Sequence, residues 1–105
     1  MAYGKISSYI TPRRYWVIWG HQDKVIKEVE HICCQKRQAN IEPARATWRE
    51  LRDVLDEIEQ KEYLPNLIAL NVIERQRTIR GESYSVNWGR ANQLRADRKN
   101  RNLWP

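Results

Sequence analysis

The sequence predicts a single α+β domain, on three observations. Apolar residues recur at helical spacing through much of the first half of the chain. A capping box opens a second helix at Thr47. After Asn71 the pattern changes to two β-rich segments around Gly81. A chain of 105 residues fits one domain with a small core. Apolar residues make up 41%, and five Trp and five Tyr, with no Phe, carry the aromatic burial. Each buried Trp or Tyr then needs a partner for its N–H or O–H.

Residues 3–10 read as an arm or short strand. Thr11-Pro12 is a helix start, with Thr as N-cap and Pro at the first helical position. Tyr15, Trp16 and Trp19 follow at helical spacing, and Gly20 either ends this short helix or weakens it. Val25, Ile26, Val29, Ile32 and Cys33 predict an amphipathic helix over about 21–37. Residues 38–46 form a connection that Pro43 keeps non-helical.

Thr47-Trp48-Arg49-Glu50 is the capping box. The helix it opens is expected to bury Trp48, Leu51, Leu55 and Ile58. Its polar face carries Arg49, Arg52, Asp53, Asp56 and Glu57, and it ends near Leu55 or near Glu62. Pro65 suits the first turn of a third helix that Asn71 stops, since Asn tolerates a left-handed backbone. Residues 72–79 and 83–88 predict a β-hairpin, with Gly81 free to take the positive φ of the bend. Residues 90–100 form a short helix around Leu94 or a flexible basic tail, and Leu103-Trp104-Pro105 is apolar enough to dock.

Helix, connection, capped helix, short third helix and charged hairpin resemble a winged helix-turn-helix domain. The likeness covers about residues 21–88, with 1–20 as an arm and short helix and 89–105 as a basic tail. It rests on Thr47-Trp48-Arg49-Glu50-Leu51 at the second helix, Leu70-Asn71-Val72-Ile73-Glu74-Arg75 entering the first wing strand, and Tyr84-Ser85-Val86-Asn87 returning. It holds at the level of the superfold and names no subfamily. The resemblance implies three helices plus a C-terminal β-hairpin wing. It also implies duplex DNA as partner, with the third helix in the major groove and the wing on the backbone or minor groove.

Charge distribution modifies that expectation. The net charge is +6, but residues 41–71 carry four Lys or Arg against seven Asp or Glu, and residues 72–105 carry eight against three. An anionic partner should therefore meet the ends of the chain rather than its middle. Arg75, Arg77 and Arg80 are the expected wing contacts and Arg95, Arg98 and Lys99 the expected tail contacts. Lys61 and Asn66 are the best the third helix offers for reading bases. Arg13-Arg14, beside Tyr15 and Trp16, either joins this surface or caps the core.

Catalytic and metal readings are weaker. His31-Ile32-Cys33-Cys34, with His21 upstream, lacks the paired spacing of a zinc site, and adjacent Cys residues on a helix diverge by about 100°. A core Cys33, a boundary Cys34 and a surface His31 are expected instead. Asp53, Asp56, Glu57 and Glu59 fit the polar side of a helix better than a nuclease centre. With no phosphate loop or nucleophile–base arrangement, the expectation is a non-enzymatic protein without cofactor or metal. No secretory signal or membrane-length apolar run is present, and the adjacent cysteines cannot staple distant segments, so the cytoplasm or another reducing host-cell interior is expected.

A small regulator of transcription or replication in a compact genome, viral or mobile, fits this size. Dimerisation through the Trp48-Leu51-Leu55-Ile58 stripe or the Trp16/Trp19 segment is open, against both being internal core. The competing reading is a protein-binding adaptor or inhibitor of a nucleic-acid machine, using the acidic middle and exposed aromatics. DNA binding predicts one continuous positive surface from wing and tail. The adaptor predicts scattered cations and an exposed apolar or acidic patch.

Overall fold

In the computed structural model the backbone of residues 12–101 and the side chains of residues 16–99 are described, so the 3–10 arm, Thr11, the side chains of Arg13, Arg14 and Tyr15, and Leu103-Trp104-Pro105 lie outside it. Helix α1 (Pro12–Gln38) runs through Gly20 unbroken, so of the two alternatives Gly20 weakens the helix rather than ending it, and the segments before and after it are one element. A mid-helix glycine costs only about 1 kcal/mol, little against the packing of so long an element. Gln22, Val25, Ile26, Val29 and Cys33 are its buried face. Cys34 is half-buried and His31 exposed, as expected.

After a turn at Asn40 (φ 56°) the chain enters the short strand β1 (Ala46–Thr47) and then α2 (Trp48–Val54). The capping box is formed. Thr47 Oγ1 accepts the Glu50 N–H at 3.2 Å, and Glu50 Oε1 accepts the Thr47 N–H at 2.9 Å. Lys36 Nζ also donates to that carboxylate at 2.8 Å and to the Arg45 carbonyl at 2.7 Å, tying the cap to α1.

Helix α2 takes the nearer of its two expected ends, and the expected stripe divides. Leu51 and Leu55 are buried, whereas Trp48 and Ile58 are exposed. The cause is a second capping box. Leu55 is extended (φ −100°, ψ 142°), Asp56 Oδ1 accepts the Glu59 N–H at 2.9 Å, and Glu59 Oε1 accepts the Asp56 N–H at 3.0 Å. Ile58 therefore belongs to a new helix with another orientation. That helix opens with a π-helical segment, Glu59–Tyr63, in which the Leu64 N–H reaches the Glu59 carbonyl, and continues as α3 (Leu64–Ala69). Pro65 has no N–H for the carbonyl four residues back and its ring crowds that position, so the turn before it is wider.

Asn71 takes φ 62° and ends α3, as its residue type predicts. Strands β2 (Ile73–Thr78) and β3 (Gly81–Val86) form the expected hairpin, with Gly81 at φ 121°. The sheet is antiparallel in the order β1-β3-β2, with Ala46 opposite Tyr84 and Arg75 opposite Tyr84 on its other side. Asn87 accepts the Arg90 N–H at 3.2 Å and starts α4 (Trp88–Arg101), which docks by buried Ala91 and half-buried Leu94. Residues 90–100 are thus helical and packed rather than a flexible tail. The core joins the α1 stripe to Leu51, Leu55, Leu64, Leu67, Val72, Ile73 and Tyr84. The result is α+β, with four α-helices and a three-stranded antiparallel sheet among the described residues.

Candidate functional site

Strand alternation puts Ile73, Arg75 and Arg77 on one hairpin face, opposite Val86, Tyr84 and Glu82. At its root this face is core, because Ile73 and Tyr84 are buried. Farther out Arg75 and Arg77 are exposed. Arg77 Nε donates to Glu82 Oε2 at 2.9 Å and the Tyr84 hydroxyl to Glu82 Oε1 at 2.7 Å. Burial, then the bond to Glu82, pushes the Tyr84 phenol up to about 12, so it remains a neutral donor. The same bonds, from Tyr84 and then Arg77, hold the Glu82 carboxyl below the usual range. Among the described residues Arg75 and Arg80 form no ion pair. Arg75 and Glu82 line a cleft of about 520 Å³ whose other wall is Trp48, Pro65, Ile68 and Ala69.

The opposite face is organised by Arg45, which the sequence pattern did not single out. Its Nε donates to Ser83 Oγ (2.9 Å), Nη1 to Ser85 Oγ (2.8 Å), and Nη2 to the carbonyls of Glu74 (3.1 Å) and Ser83 (3.3 Å). One planar guanidinium thereby fixes the hairpin to the connection that precedes β1. Beside it a groove of about 530 Å³ brings Arg49 of α2 to Arg80 at the hairpin tip, with Lys36 and Trp48 also in its wall.

Compared with protein-family models, curated proteins and solved structures, this chain matches none.

The helix-three candidates each have a partner within the chain. Lys61 pairs with Glu57 at 2.6 Å, and Asn66 accepts from Gln22 Nε2 at 3.0 Å. Around Lys61 the surface shows Glu57, Ile58 and Glu62. Glu59, expected on the polar face, is fully buried (0% exposed). Its Oε1 accepts from Lys24 Nζ at 2.9 Å and its Oε2 lies 2.8 Å from His21 Nδ1. Burial alone would push its carboxyl up. The bonds from His21, Lys24 and the Asp56 N–H outweigh that, and the carboxyl lies below the usual range. His21, Asp56 and Glu59 have ligand-type atoms within 4.8 Å of one another, the one cluster of metal-ligating type among the described residues. Glu59 already holds an ammonium and two N–H donors there, which suits a closed salt bridge better than a cation site.

The tail candidates separate. Arg98 is turned inward, with Nη1 2.7 Å from Asp23 Oδ1, Nη2 2.6 Å from Gln22 Oε1, and the guanidinium 5.4 Å from the Trp19 ring centre. It therefore leaves the set of expected contacts, because its donors hold α4 on α1. Arg95 lies exposed, 5.7 Å from the Trp88 ring centre, and Lys99 is exposed. Arg98 sits at Asp23 and the Arg80 groove reaches Lys36. These points on α1 are about 20 Å apart at 1.5 Å per residue. Wing and tail are thus not brought together into one compact patch.

No helix among the described residues is long and apolar enough to cross a membrane.

Proposed function

We propose that this chain is a winged-helix domain that binds duplex DNA, without chemistry of its own, and that the wing makes the main contact. The supporting observation is the hairpin. It follows α3 directly, pairs in the order β1-β3-β2 and exposes Arg75, Arg77 and Arg80 on a narrow projection. Two of those guanidiniums, Arg75 and Arg80, form no ion pair among the described residues. Cations on a two-stranded ribbon can follow a phosphate backbone or enter a minor groove. Arg49 adds a fourth cation on the groove beside the tip.

Major-groove reading by α3 is not part of this proposal. Lys61 is paired with Glu57 on the surface and Asn66 bonds Gln22, and the acids around them repel phosphates. Arg95 and Lys99 offer a separate cationic contact for phosphate. The same proposal extends to a role in controlling transcription or replication.

Two observations favour a protein partner as second reading: the wing and tail cations do not join into one compact patch, and apolar side chains stand exposed, Trp16 and Val17 on α1 among them. Val54 and Ile58, on either side of the α2–α3 bend, expose apolar side chains among Asp53, Asp56 and Glu57. The two readings separate in an anisotropy titration of labelled duplex between 50 and 200 mM salt. The DNA reading expects binding at low salt, with log K falling by about 0.9 per neutralised phosphate for each unit of log salt. Absence of duplex binding at low salt contradicts it and leaves the adaptor.

A further inference from the structure

We propose that Ile79 is an apolar wedge that enters the base stack from the minor groove, so that the wing bends duplex DNA as well as gripping it. This rests on the duplex-binding reading above.

Ile79 has a relative exposure of 106%, the highest of the exposed large apolar side chains, against 60% for Trp16, the next. It occupies a two-residue bend, since Thr78 pairs with Gly81. Neither Ile79 nor Arg80 takes a positive φ, so the bend itself accepts most residue types, and a β-branched apolar side chain contributes nothing to it. A large apolar side chain fully exposed between two arginines is unexplained by the packing of the fold.

The tip is also held rigid, as a wedge must be. Gly81 absorbs the positive φ. Thr78 Oγ1 accepts the Arg80 N–H at 3.2 Å and donates to the Gly81 carbonyl at 3.1 Å. One rung below, Arg77 and Glu82 clamp the two strands, and Arg45 fixes the base of the hairpin.

Dimensions and charge select the occupant. Four residues separate Arg75 from Ile79, about 13 Å of extended chain. That exceeds the minor-groove depth of about 7.5 Å, so the tip can reach the groove floor. The two-stranded ribbon is broader than the undistorted groove width of about 6 Å, and its entry requires the groove to open, as it does when a duplex kinks toward the major groove. Arg77 and Arg80 flank Ile79, so an apolar point is set between cations, as needed to unstack a base step beneath two phosphate rows. Wedges of this kind kink DNA by roughly 20–90°.

The test is end-to-end energy transfer in a short duplex, labelled at both ends and saturated with the full chain. The proteins are wild type, Ile79→Ser and Arg75→Ala/Arg80→Ala. Wild type is expected to raise transfer. Ile79→Ser is expected to fold normally and bind within about threefold of wild type, with transfer returned to the free-duplex level. The double arginine variant is expected to lose affinity instead. A straight duplex under saturating wild type, or bending that persists in Ile79→Ser, overturns the wedge while leaving duplex binding intact. No binding by wild type overturns both. Ile79-dependent binding to phosphatidylserine vesicles without duplex bending overturns the wedge in favour of a lipid surface.

Discussion

Lys24 Nζ stands 2.9 Å from Oε1 of Glu59, a carboxylate with no solvent exposure, where α1 crosses the π-helical turn ahead of α3. His21 takes the other oxygen, and the Asp56 N–H shares the first. One side chain thus closes a helix cap and locks two elements together. Its burial is tolerated because each oxygen has donors.

Replacing Glu59 with Gln should destabilise the fold by about 2 kcal/mol, below the usual 3–5 for a broken buried pair because both partners reach solvent. The pH dependence follows the sign of its shift. The folded carboxyl is lowered, so its stabilisation is complete above the unfolded value of about 4.3 and disappears as pH falls through the folded value. Denaturant melts at pH 7 and at lower pH should show wild type losing this increment and Glu59→Gln not. Parallel pH curves for the two would contradict the assignment.

Arg98→Ala should lower stability and leave duplex affinity nearly unchanged. It strands the buried Gln22 carbonyl oxygen and removes the Asp23 pair, a loss of about 2 kcal/mol. At this chain length that corresponds to a Tm lower by roughly 8–16 °C. Lys99→Ala, at an exposed position, should leave Tm unaltered. Calorimetry of both variants separates fold from interface. An Arg98→Ala protein that melts with wild type and binds DNA poorly would return Arg98 to the surface.

Glu82→Gln should strengthen duplex binding about fivefold at low salt. The substitution removes a negative charge from the wing and releases Arg77. Competition anisotropy measures it. Unchanged or weaker binding would place the DNA away from this face.

Arg45→Ala should loosen the hairpin without unfolding the core. Four hydrogen bonds to Ser83, Ser85 and Glu74 disappear, while none of the core side chains is touched. Amide exchange should accelerate in β2 and β3 and stay slow at Val25–Val29. Equal acceleration in both regions would show that Arg45 supports the whole fold.

The parts of this fold that were legible beforehand are those with local causes. Thr47 and Glu50 are three residues apart, Asn71 stops its helix by its own backbone tolerance, and Gly81 marks the bend. Gly20 left two alternatives open, an end or a weak point of its helix, and the second is the one found. The errors have physical reasons too. Asp56 and Glu59 form a capping box that was concealed within a run of acids, so Ile58 was counted on the wrong helix. Glu59 and Arg98 resemble solvated charges in sequence because their partners lie 35–38 and 75–76 residues away. Arg45 was missed for the same reason. For the candidate site, the hairpin arginines were legible, whereas the inward turn of Arg98 and the division between wing and tail depended on how α4 docks.

The central claim, that the wing carries duplex binding, is tested most directly by salt-titrated anisotropy of Arg75→Ala/Arg80→Ala against wild type. The expected result is weaker binding and a slope of log K against log salt shallower by about 1.8, two phosphate contacts at about 0.9 each. A double variant whose affinity and salt slope both match wild type would contradict it.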